Sequence, residues 1–435
     1  MAAGHSATGG GAGATLTEVA WDELRAIVGP EHVRAVGLED QVAGVAPRMV
    51  AEPADETQLA AALRWANDAG LAVAPRGGGN KTGWGNPPAR LDLILSTDRL
   101  NAIVEHAWAD LTVVVQAGAR VGDVQRELAK HGQYIATDPL WPERATIGGI
   151  LSTNDSGTLR LRYGALRDLI IGVTLALADG TLARSGGKVV KNVAGYDLPK
   201  LATGALGTLG VITQAAFRLH PLSAAGNGRT LTFRTGSVSD ANRLIVDFQS
   251  SALAHTGLQA RARHDAQAEV DVRFEGTAAG VEAQCVTARK IAAFVVETGN
   301  STEVWQARQE LWTQAETAAL AKFSVLPTRI AAACEAVRRA AGKGDLKWRI
   351  VAQGTGLGWV RLEGVRPEEI REALLALRAE LEREAGSLFV AQQPVGTGTV
   401  EAWGSPGDAF PVMLRVKQQF DPRGTLNPGR FAGGI

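Results

Sequence analysis

This chain of 435 residues has only two cysteines and three tyrosines, and it carries no net charge. Its two cysteines, Cys285 and Cys334, lie far apart and no Cys-x-x-Cys pair is present, so the chain alone provides no ligand set for an iron–sulfur cluster or a structural zinc. Buried free thiols are favoured over a disulfide. Basic and acidic residues number 45 each, which argues against DNA or an acidic membrane surface as the partner.

Long apolar runs are missing as well. No segment approaches the ~20 apolar residues of a membrane-spanning helix. Residues 1–15 are rich in glycine and alanine and lack the apolar core of a signal peptide, so we expect a disordered tail. The expected location is the cytoplasm, with peripheral attachment to the inner membrane through partner proteins as the alternative. The length suggests two or three domains.

A glycine-rich turn follows the short apolar strand Leu71–Ala74. It reads Pro75-Arg76-Gly77-Gly78-Gly79-Asn80-Lys81-Thr82-Gly83. Three consecutive glycines can place several backbone N–H groups in one concave arc, which suits phosphate oxygens. A second block, Ala145-Thr146-Ile147-Gly148-Gly149-Ile150, lies some 70 residues later. Two such blocks indicate a diphosphate held from two sides, as in a dinucleotide cofactor; the alternative is that Gly77 to Gly79 form only a flexible surface loop.

The pattern of strands and helices divides the chain into three parts. Residues 16–222 mix short strands with amphipathic helices, including the predicted helix Gln58–Ala69 and an Asp179-Gly180 hairpin turn. Residues 223–415 read as two successive β-α-β-β-α units, which predicts one antiparallel sheet with helices on one face. The turn-rich segment 416–435 would not fold alone, and we expect it to return to the first part.

A short repeat supports the duplication in the second part. The corresponding strands end in Arg273-Phe274-Glu275-Gly276 in one unit and in Arg361-Leu362-Glu363-Gly364 in the other. The same reading places a strand at Lys322–Leu326 in the second unit.

Six motifs, in this order, resemble those of the vanillyl-alcohol-oxidase-type (PCMH-type) FAD-binding flavoproteins. They are Pro75–Gly83, Thr146–Gly149, Arg162-Tyr163-Gly164, Lys191–Leu201, Gly207–Thr213 and Leu426-Asn427-Pro428-Gly429. Within that family the chain is most similar to the smaller FAD-binding subunits of bacterial glycolate oxidases. A Rossmann fold is disfavoured, because no G-x-G-x-x-G opens a helix after a strand.

This resemblance implies an α+β fold: a two-subdomain PCMH-type FAD-binding domain at 16–222, a cap or substrate domain at 223–415, and a C-terminal segment at the flavin site. Gly77 to Asn80 would cradle the FAD pyrophosphate, with Thr146 and Gly149 on its other side. Gly157 would approach the flavin ring, Val211 and Ile212 the adenine, and Asn427 the flavin from the cap side. The other implied cofactor-binding residues are Arg76, Thr82, Gly83, Asp138, Pro139, Gly148, Ser156, Tyr163 and Gly210.

Two departures from the family pattern are informative. Members with covalent flavin carry a histidine in the first glycine loop; here the position is Asn80, so non-covalent FAD is expected. Members that oxidise 2-hydroxy acids commonly hold a metal through late histidines, but the last histidine here is His264, so no metal site is predicted and no catalytic base can be named. Candidates for the cation that binds a substrate carboxylate are Arg349, Arg361, Arg415 and Arg430.

The resemblance implies an FAD-binding subunit of a glycolate oxidase, an oxidoreductase that converts glycolate to glyoxylate. Its partners would be a larger homologous FAD subunit and an iron–sulfur subunit, because the chain has no cluster ligands of its own. Two alternatives stay open: a self-sufficient FAD-dependent hydroxy-acid or alcohol dehydrogenase or oxidase, and a non-catalytic subunit that holds FAD for assembly.

Overall fold

The computed structural model describes residues 18–187, 196–223, 228–313, 317–394 and 400–435. The predicted tail, the Lys191–Gly195 part of the fourth motif and residues 224–227 of the predicted boundary lie outside these residues.

The first lobe begins with a small four-stranded sheet. Its elements are α1 (Glu18–Val28), β1 (Val33–Arg34), β2 (Met49–Ala51), α2 (Glu56–Asp68), β3 (Val73–Arg76) and β4 (Leu93–Ser96). The strand order is β1-β2-β4-β3, and β4 pairs in parallel with both β2 and β3. The Asp55 carboxylate accepts hydrogen bonds from the N–H groups of Thr57 and Gln58 and so caps α2. Gly70, with φ +68°, ends the turn that follows α2.

A five-stranded antiparallel sheet forms the rest of this lobe. Its elements are β5 (Ile103–Ala107), β6 (Thr112–Gln116), α3 (Val121–Ala129), β7 (Gln133–Tyr134), α4 (Ile147–Thr153), α5 (Arg160–Tyr163), α6 (Leu166–Leu169), β8 (Ile170–Ala176), β9 (Leu182–Gly186), α7 (Leu198–Ala202), β10 (Val211–Arg218) and β11 (His220–Pro221). The order is β5-β6-β10-β8-β9, and β7 pairs with β11. Ala176 and Val211 of this sheet pack into the core of the smaller one, which joins the two sheets.

The second lobe is built on one eight-stranded antiparallel sheet. Its elements are β12 (Arg229–Arg234), α8 (Val238–Ser250), β13 (Gly257–Arg263), β14 (Ala266–Phe274), α9 (Ala278–Ile291), β15 (Val296–Gly299), α10 (Ala307–Glu310), β16 (Ala318–Ser324), α11 (Ile330–Gly342), β17 (Lys347–Gln353), β18 (Leu357–Glu363), α12 (Pro367–Arg383) and β19 (Ser387–Gln392). The predicted α+β class and the single large antiparallel sheet are confirmed. A last helix, α13 (Phe410–Phe420), precedes the C-terminal segment.

The strand order β15-β12-β14-β13-β17-β18-β16-β19 reads as a unit followed by its mirror image. The first half is β12–β15, the second half is β16–β19, and they meet where β13 pairs with β17. Each strand therefore has a counterpart. In particular, the pair Thr232–Asp271 in the first half corresponds to Lys322–Trp359 in the second.

The two faces of this sheet differ. Alternate residues such as Phe233, Val270, Phe323 and Val360 pack against helices in one apolar core. The residues between them face the first lobe.

Several predicted boundaries were wrong. The strand predicted at Lys322–Leu326 runs from Ala318 to Ser324, so Lys322 lies inside the strand and not at its start. The edge strand β15 was not predicted, because its four residues are all exposed and show no apolar alternation, and the helix α13 was not predicted either. The second glycine block, for which no helix or strand was predicted, forms the first turn of α4.

Candidate functional site

The two glycine segments face each other across one narrow cleft of about 80 Å³. The first segment follows β3 and the second opens α4. The cleft is lined by Pro75, Arg76, Gly77, Gly78, Gly79, Asn80, Lys81, Thr82, Thr97, Gly148, Gly149, Ser152, Thr153, Leu206, Gly207, Gly210, Val211, Ile212, Asn427 and Arg430. This volume suits the phosphate groups of a ligand, and the two ends of a dinucleotide would extend beyond it.

Close contact with the second segment explains why the first segment contains glycines at these positions. A Cβ on Gly77 would lie 2.1 Å from Oγ1 of Thr146, and a Cβ on Gly78 would lie 2.0 Å from the carbonyl oxygen of Arg144. Both separations are far inside van der Waals contact, so only glycine allows the two segments to approach this closely. The Thr146 hydroxyl also accepts a hydrogen bond from Gly149 N and caps α4.

Arg76, at the entrance to the first segment, is fixed by a buried carboxylate. Its Nη1 lies 2.5 Å from Oδ1 of Asp40, whose side chain also accepts two hydrogen bonds from Arg34. These hydrogen bonds, with that from Arg34 the strongest influence, hold the pKa of Asp40 well below its usual range. The charge of Arg76 is therefore presented at the cleft in a fixed position.

The C-terminal segment completes the floor of the cleft. Asn427, in the left-handed conformation with φ +45°, donates from its backbone to Val73 O (2.9 Å) and from Nδ2 to Leu206 O (2.6 Å). Below it, the buried Lys417 ammonium donates to Thr208 O, Leu426 O and the Asp421 carboxylate. Residues 425–427 thus lie beside β3 on the inner side of the cleft.

A buried ionic cluster joins the two lobes next to the cleft. The Asp155 carboxylate lies 2.9 Å from Lys81 Nζ and 2.9 Å from Nη1 of Arg308. Arg308, from α10 in the second lobe, also donates to the carbonyl oxygens of Ser156 (3.0 Å) and Asp138 (2.7 Å). Burial alone would raise the pKa of Asp155, but Lys81 and Arg308 together hold it well below its usual range. Burial lowers the pKa of Lys81, although Asp155 acts to raise it.

Beside this cluster is an aromatic seam, which we define as Trp84, Trp141, Trp312, Trp359 and Phe389. Trp84 and Trp141 come from the first lobe and the other three from the second. Ring centroids lie 5.8 Å apart for Trp84–Trp312, 5.3 Å for Trp84–Trp359 and 5.1 Å for Trp141–Trp312. Lys81 Nζ lies 5.8 Å from the centroid of Trp84 and 5.9 Å from that of Trp141. The cleft, the ionic cluster and the seam are therefore contiguous.

A second cavity, of about 1030 Å³, is lined in part by Arg308. Asp138, Pro139 and Gly157 line this cavity and do not line the cleft. The Asp138 carboxylate accepts hydrogen bonds from Gly157 N (2.8 Å) and Thr158 Oγ1 (3.1 Å). Burial raises the pKa of Asp138, although Arg308 and Arg273 act to lower it.

The structure places most of the predicted cofactor residues at the cleft. Twelve line it: Arg76, Gly77, Gly78, Gly79, Asn80, Thr82, Gly148, Gly149, Gly210, Val211, Ile212 and Asn427. Thr146 supports it as the cap of α4, and Ser156 lies beside Arg308. Gly83 does not line it, and the Tyr163 ring packs instead on Tyr134 and His220.

Most of the arginines considered for binding a substrate carboxylate have other roles in the structure. Arg361 is buried and donates to Leu311 O and Thr313 O, and Arg430 donates to the carbonyl oxygens of Thr82, Trp84 and Asn86. Both therefore hold backbone segments in place. Arg349 lies in a separate groove of the second lobe, and Arg415 is exposed on α13.

Sequence reasoning missed Lys81, Asp155 and Arg308 as site residues. Lys81 lies within the first glycine-rich motif and Asp155 follows the second. Opposite charges in or beside two glycine-rich segments could have indicated an ion pair between them. Arg308 follows an irregular segment, and nothing in its local sequence indicates a contact 150 residues away.

Comparison with known proteins gives a consistent result. The family described as "FAD binding domain" matches residues 47–186. Over 421 residues, 88% of this chain and 89% of the other, the chain is 27% identical to glycolate oxidase subunit GlcD of Bacillus subtilis. It is 26% identical over 434 residues to D-2-hydroxyglutarate dehydrogenase of Xanthomonas citri pv. viticola, with 88% and 89% covered. Among solved structures, substrate-bound p-cresol methylhydroxylase is similar with a TM-score of 0.75 and 15% identity, covering 95% of this chain and 97% of that one.

The residues present fit the phosphate end of FAD. Nδ2 of Asn80 and Oδ1 of Asn427 are buried at the cleft and have no hydrogen-bond partner within the described part of the chain. Buried polar atoms are normally satisfied, so these two are available to a polar ligand.

The described ranges contain neither a membrane-spanning helix nor a cluster of metal ligands. No helix there is both long and apolar enough to cross a bilayer. No group of three or more His, Cys, Asp or Glu side chains there is arranged to hold a metal ion.

Proposed function

Because the chain is an FAD-dependent oxidoreductase with a PCMH-type FAD-binding domain, we propose that it is the FAD-binding subunit of a 2-hydroxy-acid dehydrogenase complex of the glycolate oxidase type. In this proposal the chain oxidises glycolate to glyoxylate and holds its FAD without a covalent bond. The smaller-subunit assignment, the domain boundaries at 222 and 415 and the cytoplasmic location belong to the same proposal.

The observation that carries the proposal is the approach of the two glycine segments across one cleft. Gly77 and Gly78 contact the second segment so closely that no side chain fits. Arg76 and Asn80 line the same cleft, and Nδ2 of Asn80 has no hydrogen-bond partner in the described part of the chain. A pyrophosphate is the group that best uses one fixed cation and several backbone N–H donors.

The cleft residues would bind and orient the cofactor. Arg76 and Asn80 would hold the pyrophosphate, Val211 and Ile212 the adenine end, and Asn427 the opposite wall. When bound, FAD accepts a hydride, and with it two electrons, from the carbon that bears the hydroxyl group. The aromatic seam excludes water beside the cleft, and the Asp155 cluster fixes the second lobe on the first.

The choice of 2-hydroxy acids and of a complex is supported by the relatives. One is named as a subunit of glycolate oxidase and another acts on D-2-hydroxyglutarate. Two cysteines cannot ligate an iron–sulfur cluster, so one-electron transfer beyond the flavin requires other chains. We propose a larger homologous FAD subunit and an iron–sulfur subunit as these partners.

The cofactor assignment is tested by substitution in the first glycine segment. Gly78→Val should abolish FAD retention, because the new side chain would overlap the backbone of Arg144. Gly299→Val, at an exposed edge strand with open space around the Cβ position, is the matched control and should remain yellow. Asn80→Ala removes a hydrogen bond without a clash and should weaken FAD binding about 2- to 10-fold. A Gly78→Val protein with full FAD content would contradict the assignment.

The complex is tested by purification from the native cell. We expect an iron-containing protein and a second FAD protein to purify with this chain, and glycolate to bleach the flavin absorbance of the preparation. Release of FAD on acid precipitation would support non-covalent binding. A chain that purifies alone and is fully reduced by glycolate would favour a self-sufficient dehydrogenase.

A further inference from the structure

Three arginines lie side by side on adjacent strands of the eight-stranded sheet. Arg263 on β13 is directly opposite Arg349 on β17, and Arg349 is directly opposite Arg361 on β18. Side chains at opposite positions of antiparallel strands share one face, with Cβ atoms about 4.5–5.5 Å apart, and like charges there are destabilising. This row of three arginines is therefore unfavourable wherever a guanidinium has no counter-charge.

The neighbouring row of the sheet contains its own counter-charge. Two residues earlier on β13, Arg261 is opposite Glu269 on β14, and Glu269 is in turn opposite Arg234 on β12. The Glu269 carboxylate lies 2.9 Å from Arg261 and 3.8 Å from Arg234. In the row of three arginines, the residue that β14 places opposite Arg263 is Ala266. This row therefore lacks the acid that its neighbour has.

The arginines at the two ends of the row have partners, but the central one does not. Arg361 is buried and donates to the Glu363 carboxylate (3.1 Å) and to two backbone carbonyls. Arg263 and Asp265 form an ion pair of 3.0 Å, which is exposed and contributes little. Arg349 is partly buried, and no hydrogen bond or ion pair joins its guanidinium to any residue that the structure describes. Arg349 is therefore a cation without a counter-charge.

Arg263 and Arg349 line a groove of about 450 Å³, together with two more arginines and two glutamates. Every residue that lines this groove belongs to the second lobe. Ala307 and Glu310 of α10 form one wall, whereas Arg308 of the same helix bonds to the first lobe. The groove therefore has an excess of positive charge and includes no residue of the FAD-binding lobe.

We propose that this groove binds a phosphate group, with Arg263 and Arg349 holding one dianion between them. The site goes beyond the proposed function, because none of its residues lines the cofactor cleft. Two guanidiniums provide two positive charges and forked N–H donors that match the oxygens of a phosphate. The groove lies within the ~300–1,000 Å³ range of small-molecule pockets, which leaves room for the organic part of a phosphate monoester.

The first test measures stability without the ligand. Arg349→Met keeps an unbranched side chain but removes the repulsion, so in phosphate-free buffer it should melt at the wild-type temperature or above it. An arginine that only supports the fold would lower the melting temperature when replaced. Arg371→Met, at an exposed position of α12 on the helix side of the sheet, is the matched control and should melt like the wild type.

The second test adds the ligand to the FAD-loaded full chain. Millimolar inorganic phosphate or glycerol 3-phosphate, compared with sodium chloride of equal ionic strength, should raise the melting temperature of the wild type and of Arg371→Met. Arg349→Met should not respond. In calorimetric titrations with the same two anions, Arg349→Met and Arg263→Met should each bind about 10- to 100-fold more weakly than the wild type.

The two anions also identify the ligand. Tighter binding of glycerol 3-phosphate would support a phosphorylated metabolite, and equal binding would support the phosphate ion itself. A lower melting temperature of Arg349→Met in phosphate-free buffer would overturn the proposal, because Arg349 would then support the fold. No response of the wild type to either anion, or the same response in Arg349→Met, would overturn it as well. Neither readout depends on FAD binding, so these outcomes leave the proposed function unaffected.

Discussion

The two halves of the eight-stranded sheet share a topology but carry opposite chemistry on the face toward the FAD-binding lobe. In the first half this face is polar: the fully buried Asp271 accepts from Thr232, Gln259 and Arg261. In the second half the equivalent of Asp271 is Trp359, whose ring packs against Trp84 of the other lobe. Both halves bury the same kind of apolar side chains on the helix side.

This difference shows that folding constrains the helix side of the sheet, whereas the side chains on the face toward the first lobe can differ between the two halves. Duplication fixes the helix side, since both units need an apolar core. On the face toward the first lobe, the polar side chains of the first half bond to one another, as around Asp271. In the second half, side chains on this face, such as Trp359, pack against the cofactor-binding lobe. Of the two halves, only the second therefore contributes side chains to the seam, namely Trp359 and Phe389, while Trp312 comes from the segment that joins the halves.

The largest expected effect is that of Trp359→Ala. Trp359 is fully buried in the seam, so its removal should lower the free energy of unfolding by about 5 kcal/mol and weaken FAD binding. Trp305→Ala, a partly exposed tryptophan next to the first half, should cost about 1–2 kcal/mol. Denaturant unfolding measures both. If both variants lost the same unfolding free energy, the proposed difference between the two halves would be wrong.

The next effect is at the ionic cluster. Asp155→Asn leaves Lys81 and Arg308 buried without a counter-charge, so it should lower the free energy of unfolding at pH 7 by about 3–4 kcal/mol. The folded-state pKa of Asp155 is depressed, so its contribution is present above the unfolded value of ~3.9 and is lost as the pH falls below it. Thermal melts from pH 7 to pH 2 should show the two proteins converging below about pH 4. A constant difference would contradict the assignment.

A smaller effect is expected from Asp271→Asn in the first half. The amide keeps the shape of the side chain but weakens its bonds to Arg261, which should cost about 1.5–3 kcal/mol of unfolding free energy. FAD affinity should not change, because this network does not reach the cleft. Urea unfolding and a flavin titration test both statements, and a change in FAD affinity would show that the first half also supports the cofactor.

The smallest effect is expected from Thr232→Val. This change removes one hydrogen bond to Asp271 and should cost about 1 kcal/mol. Leu320→Val, a conservative change on the seam side, provides a comparison of similar size. A loss well above 2 kcal/mol for Thr232→Val would mean that the network acts as a unit.

The sequence predicted the parts of this molecule that depend on local patterns. The α+β class, the duplicated units, the helix after Asp55 and the Asp179-Gly180 turn all follow from residues close together in the chain. The glycine segments were recognised for the same reason, although the helix that contains Gly148 was not predicted.

The parts that depend on long-range packing were not predicted. Arg308 reaches Asp155 and Ser156 only because the lobes pack face to face, and its sequence neighbours give no sign of this. Lys322 was placed at the start of a strand, so alternation could not show which face it occupies. The buried role of Lys417 was equally hidden, because its helix α13 was not recognised.

The position of Asn427 has a consequence for how the protein matures. The cleft is walled by residues near position 80, near 150 and near 210, yet its floor is supplied by Leu426 and Asn427, which pair with Val73. During translation Asn427 emerges after all the other residues that line the cleft except Arg430. A nascent chain can therefore fold both sheets early but cannot close around its cofactor until synthesis has passed residue 427.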